Sequence, residues 1–169
     1  MCIDKYLVKE KEINSSKSEA KVPAKRINIV TLKLIREGSI LYESRKISSP
    51  ETAAELGRKF IENSDREEFI ICCLDTKNQP LSISVISIGS LNSAIVHPRE
   101  VYKVAILSNA SSIIAFHNHP SGDTEPSVED INLTNRLTEA GKVIGIQLID
   151  HIIIGSEGRY YSFKEESLL

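Results

Sequence analysis

Residues 111–130 read Ser111-Ser112-Ile113-Ile114-Ala115-Phe116-His117-Asn118-His119-Pro120-Ser121-Gly122-Asp123-Thr124-Glu125-Pro126-Ser127-Val128-Glu129-Asp130. The apolar run through Phe116 reads as a buried strand. Residues i and i+2 of a strand project to one face, so His117 and His119 point the same way and Asn118 points the other. Pro120 ends the strand by removing a backbone donor. Two of the chain's 4 histidines therefore converge at the carboxyl end of a buried strand, beside a glycine-containing loop. That placement suits a first-row metal held by neutral imidazole nitrogen.

Two ligands are too few. A helix starting at Ser127 offers a third in Asp130, whose first-turn carboxylate faces back toward the loop. Catalytic zinc takes three protein ligands and keeps one position for water. His117, His119 and Asp130 would make such a set. Other readings stay open. Ser127 and Asp130 have nearly capping-box spacing, so Asp130 could serve only to stabilise a helix start. A histidine at a strand end is often a hydrogen-bonding or surface residue. Glu125 and Glu129 are rival carboxylates without Asp130's spacing.

Outward from this stretch, strands and helices alternate, which predicts an α/β sandwich on a mixed sheet. Residues 1–24 are polar and mixed in charge and read as a flexible arm. Over residues 25–47, alternation on either side of Glu37-Gly38-Ser39 predicts a β-hairpin. Ser48 and Glu51 have capping-box spacing around Pro50, and the helix that follows would bury Ala53, Leu56 and Phe60. EEFIICCLDT (67–76) reads as a buried strand and LSISVISIGS (81–90) as one with a solvated face. A helix is expected after His97-Pro98, with His97 and Glu100 capping or packing at its start and Arg99 pairing locally. The helix from Ser127 would stop near Gly141. GIQLIDHIIIG and RYYSF close the chain as strands. His151 is expected to be structural or to orient a ligand imidazole, and Asp123 to support the site from its loop.

The chain has 169 residues, about one ordinary domain, and is 41% hydrophobic, enough for a core. The net charge of −2 argues against a global basic field for nucleic acid or anionic membrane. Aromatic content of 5% with no Trp offers little for base stacking. Cys72 and Cys73 are adjacent and would point to opposite faces of a strand, so they read as small buried apolar groups rather than a disulfide or zinc knuckle. Unpaired cysteines fit a reducing cytoplasm. No apolar run approaches the ~20 residues that span a bilayer. The expectation is a soluble, cytoplasmic protein without membrane contact.

His117-x-His119-Pro120, seven residues, Ser127, two residues and Asp130 resembles the JAMM (MPN-plus) metalloprotease motif. GSLNSAIVHPRE, HPREVYK, AFHNHPSGD, PSVED and LIDHIIIG more closely resemble the blocks of the bacterial RadC family, over residues 48–169. The resemblance implies a cytidine-deaminase-like JAB/MPN α-β-α sandwich around a mixed sheet. It implies Zn2+ held by His117, His119 and Asp130, with Ser127 helping to hold an oxyanion and an upstream glutamate as general acid/base. Two glutamates compete for that last role. Glu67 has the RadC-like spacing to Phe69, and Glu68 has the JAMM spacing directly before an aromatic; Glu67 is preferred. Where many relatives have Pro after Ser-Gly-Asp, this chain has Thr124-Glu125-Pro126, and no expected ligand changes.

The activity implied is zinc-dependent hydrolysis of a peptide or isopeptide bond in an unidentified peptide or protein. The alternative is a DNA repair-associated protein that binds nucleic acid or a protein partner, with zinc structural or vestigial. Longer RadC-like proteins carry an N-terminal helical segment reminiscent of DNA-binding modules, whereas the arm and hairpin are expected here. Oligomeric state is open, because the hairpin could pair at a sheet edge within or between chains.

Overall fold

The computed structural model describes residues 25–89 and 96–169. The chain divides into residues 1–32 and 33–169, and every helix and strand among the described residues lies in the second unit. The order is α1 (Pro50–Ile61), β1 (Glu68–Leu74), β2 (Pro80–Ile88), α2 (Pro98–Leu107), β3 (Ser112–Asn118), α3 (Val128–Ile144), β4 (Gln147–Ile154) and β5 (Tyr160–Ser162).

The strand that carries the histidines is the middle of the sheet, whose order is β2-β1-β3-β4-β5. All seven of its residues are buried. It runs antiparallel to β1 and parallel to β4, with α3 as the crossover between the parallel pair. β2 and β5 are added antiparallel at the edges. The sheet is therefore mixed, as expected. Alternation splits each inner strand between two cores. Phe69, Ile71, Cys73, Ile113 and Ala115 pack with residues of α2 and α3 such as Tyr102 and Leu137. Ile70, Cys72, Leu74, Ile114 and Phe116 pack with Ala53, Ala54 and Leu56 of α1. Helices thus cover both faces, giving an α-β-α sandwich. Cys72 and Cys73 fall into opposite cores as free thiols, and burial raises both pKa values.

Sheet and helix approach closely at Gly57, where a Cβ would stand 2.6 Å from Phe116 Cδ1. That contact requires a residue without a side chain.

Some expectations are corrected. The hairpin over 25–47 does not form, since residues 25–42 carry no strand. Ile29, Leu32, Ile35 and Leu41 remain exposed. A two-stranded ribbon with no sheet to bury one face is marginal in water. The end of the segment is anchored: Ile47 is buried, its N–H donates to Asn78 O at 2.9 Å, and Tyr42 Oη donates to Thr52 O at 3.3 Å. The α1 cap is Ser49 with Thr52, one residue beyond the expected Ser48–Glu51 pair. Phe60 is 37% exposed rather than core. α3 passes through Gly141 and stops at the left-handed Gly145 (φ 81°), the usual device for ending a helix. The flexible arm expected over 1–24 and the segment 90–95 lie outside the described residues.

Candidate metal centre

Three elements build the site. β3 delivers His117 from its penultimate position, and His119 follows just past the strand. The N-terminus of α3 delivers Asp130 from above. His117 and Asp130 are buried, while His119 keeps part of its surface in solvent.

One ligand atom from each of His117, His119 and Asp130 lies within 4.8 Å of the others. His117 Nε2 is 3.0 Å from His119 Nε2 and 3.2 Å from Asp130 Oδ1. His119 Nε2 is 3.5 Å from Asp130 Oδ2. With zinc–ligand bonds of ~2.0–2.1 Å, the edges of a coordination tetrahedron are about 3.3 Å. With one ligand atom from each residue inside 4.8 Å and the shortest contacts near that edge, the donor set fits a divalent ion.

Asp130 serves both readings open in the sequence. Ser127 donates to Asp130 Oδ2 from its backbone N–H at 2.8 Å and from Oγ at 2.6 Å, and the Asp130 N–H returns a bond to Ser127 Oγ at 3.1 Å. This capping box orients the carboxylate, with Oδ1 toward His117 and Oδ2 shared between Ser127 and His119. Burial would raise the Asp130 pKa, but hydrogen bonds from His117 and His119 outweigh it and hold the carboxyl well below its usual range. The same contact with Asp130 raises the His119 pKa.

The loop between β3 and α3 is held from behind. His119 Nδ1 lies 3.0 Å from Asp123 O, so the backbone of Asp123, rather than its carboxylate, supports the site. Gly122 O accepts from Arg159 at 3.1 Å and from Ser156 N at 3.3 Å. Gly155 lies beneath, where a Cβ would meet Thr124 Cγ2 at 2.4 Å and Gly122 O at 2.9 Å. The β4–β5 turn thus fixes the loop that carries His119.

Asn118, opposed to the histidines, accepts from Glu68 N at 2.8 Å and donates to Arg66 O at 2.9 Å. It ties the chain before β1 to the end of β3. Phe69 pairs with His117 across the two strands, and Glu67 lies two residues before Phe69, just ahead of β1. The Glu67 charge acts on His119. Glu68 begins β1, and its Oε1 accepts from Ser64 Oγ at 2.7 Å. Glu125 and Glu129 are exposed and lie outside the cluster.

His151 is wholly buried and lies 2.9 Å from His117 Nδ1 through its Nε2. Its Nδ1 lies 2.6 Å from Thr134 Oγ1, which sequence reading missed. The signal available for Thr134 was its position four residues after Asp130, on the same helix face. Nothing local in the sequence pointed to Ser156 or Arg159. His97 caps α2 by accepting from Arg99 N at 3.4 Å, and Arg99 pairs with Glu100 at 3.5 Å.

Fold and site together define an α-β-α domain with a His-His-Asp cluster able to hold a metal ion at the end of its central strand. A family model for the RadC-like JAB domain matches residues 47–168, and the chain belongs to that family. It is 56% identical over 128 residues to a UPF0758 protein of Clostridium acetobutylicum, covering 76% of this chain and 56% of the relative. It is 52% identical over 125 residues to a UPF0758 protein of Methanosarcina barkeri (74% and 54% covered). A UPF0758 protein of Desulfitobacterium hafniense is 51% identical over 123 residues (73% and 54% covered). The chain thus spans a little over half the length of these curated relatives. Among the described residues, no helix is long and apolar enough to cross a membrane.

Proposed function

We propose that this chain is a zinc-dependent metallohydrolase that cleaves a peptide or isopeptide bond. The observation that carries the reading is the convergence of ligand atoms from His117, His119 and Asp130 within 4.8 Å of one another, in a domain of the JAB family. His117, His119 and Asp130 would hold the ion. Bound there, zinc supplies a Lewis acid and brings the pKa of a water toward ~7.

Glu67 would take the proton from that water and deliver it to the leaving amine. Its support is its place two residues before Phe69, the partner of His117, and its electrostatic reach to His119. Ser127 would donate its hydroxyl to the carbonyl oxygen as negative charge develops there. The N-terminus of α3 favours the same charge. Asp130 stays oriented meanwhile through the Ser127 backbone N–H.

The test is metal analysis of untagged protein, paired with amine release from a linear peptide and from a lysine isopeptide. One zinc per chain, lost in His119→Ala, and cleavage of at least one probe are expected. Bound zinc with neither probe cleaved would overturn the hydrolase and leave a structural ion. Salt-dependent DNA retention on filters that persists in Glu67→Gln would favour the nucleic-acid alternative.

A further inference from the structure

Asn118 stands between the two histidines in the chain, and its side chain grips the backbone around one other residue. Glu68 N can only donate and Arg66 O can only accept, so chemistry decides which way the Asn118 amide faces. Oδ1 takes the Glu68 N–H at 2.8 Å, and Nδ2 donates to Arg66 O at 2.9 Å. Arg66 O belongs to the peptide group before Glu67, and Glu68 N to the peptide group after it. One amide therefore holds both peptide planes that meet at the Glu67 Cα. The second plane is held at its other end as well, because Glu67 O accepts from Gly89 N at 2.7 Å. Peptide groups are rigid, so fixing two successive planes fixes φ and ψ of the residue between them. The direction in which the Glu67 side chain leaves the backbone is fixed with them.

We infer that Asn118 is a positioning residue for Glu67: from the strand that carries His117, it clamps the backbone on either side of Glu67 and sets the point from which the carboxylate reaches out. The role rests on Glu67 being the acid/base proposed above.

Three observations favour this role over an ordinary bond at a strand end. The β1–β3 ladder has its last pair at Phe69 and His117. Beyond that pair the Asn118 side chain continues the connection, and both of its bonds flank Glu67. Asn118 is 3% exposed, although Arg66 is exposed and Glu67 half-buried, so water has little room to replace the clamp. Asn118 is also one peptide bond from His117 and one from His119. Ligands and base thus share a single reference, and a misplacement of about 1 Å between such groups costs on the order of 100-fold in rate. Glu68 gains nothing comparable, since its carboxylate is engaged with Ser64.

The experiment joins a double-mutant cycle on the zinc-loaded chain, read with the peptide and isopeptide probes, to backbone amide exchange on the metal-free chain. Asn118→Ala removes both hydrogen bonds. It is expected to lower kcat by about 10–100-fold while KM and zinc affinity stay near wild type. In a Glu67→Gln background the same change should cost less than about threefold, since a base that is absent cannot be misplaced. Exchange at the Glu68 amide should quicken, while exchange at Ile71, in the middle of β1, keeps its wild-type rate. If Asn118→Ala does not fold, Asn118→Asp is carried through the same cycle with the same expectation. It keeps the volume and the acceptor for Glu68 N–H and removes the donor to Arg66 O. Wild-type kcat in the folded variant overturns the inference, as does an unchanged Glu68 exchange rate. Equal losses in the two backgrounds also overturn it, because a purely structural role would give them. A wild type that binds zinc and cleaves neither probe overturns the hydrolase reading and the role of the clamp together, whereas normal cleavage with an additive cycle overturns the clamp alone.

Discussion

Asp130 Oδ1 stands 3.2 Å from His117 Nε2, with both side chains buried and a second imidazole, His119, 3.5 Å from the other carboxylate oxygen. A buried carboxylate is tolerated there because the rings and the Ser127 cap compensate for lost solvation. This relationship has consequences for stability with and without metal.

The first concerns pH in the presence of a chelator. The Asp130 pKa is lowered from 3.8, so its contribution to stability is present above 3.8 and lost as pH falls through the folded value. The His119 pKa is raised from 6.5, so its contribution is full below 6.5 and lost as pH rises through the folded value. The pairing is therefore strongest between those limits. Asp130→Asn should lower the melting temperature most near pH 5 and less at pH 9. Equal losses across that range would show that the pairing does not stabilise the fold.

The second separates two adjacent glutamates. Glu67→Gln should retain zinc and lower peptide cleavage by about 10²–10⁴-fold. Glu68→Gln should cleave within a few-fold of wild type, because Glu68 is engaged with Ser64. The reverse ranking in initial rates would reassign the acid/base role.

The third concerns the support beneath the loop. Gly155→Ala would bring a Cβ to 2.9 Å from Gly122 O and 2.4 Å from Thr124 Cγ2. The loop must shift, at a cost of about 1–3 kcal/mol. His119 depends on that loop through Asp123 O, so zinc affinity should fall roughly tenfold. Calorimetric titration with zinc showing wild-type affinity would mean that His119 is positioned independently of the β4–β5 turn.

The fourth concerns Asp150. Asp150→Ala strands the His151 N–H and the Ser162 hydroxyl, both in buried residues. A loss of about 3 kcal/mol or more in denaturant unfolding is expected, at ~1–3 kcal/mol per orphaned group. Asp150→Asn keeps one acceptor oxygen and removes a carboxylate whose pKa burial raises, so its loss should be smaller. An Asn variant as damaged as the Ala variant would show that the charge itself is required.

How far the sequence reached can be judged residue by residue. Periodicity located the strands through EFIICCL and SIIAFHN, and the helix beyond Ser127, because burial on a sheet imposes a period of two and a first helical turn demands a cap. It failed over residues 25–42, where good strand chemistry finds no partner strand. Phe60 was misjudged because a helix's apolar stripe is wider than the face its neighbours cover.

The sequence by itself determined the His117–His119 register and the Ser127–Asp130 spacing, since both follow from the local geometry of a strand and a helix start. Only the tertiary structure decided which elements stand opposite one another. Pairing of Phe69 with His117 brought the start of β1 beside the end of β3. A one-residue bulge in β4 turned His151 toward His117. Thr134 joined them from a separate helix. Such relations depend on strand register and on packing between distant segments, and a local pattern carries no record of either.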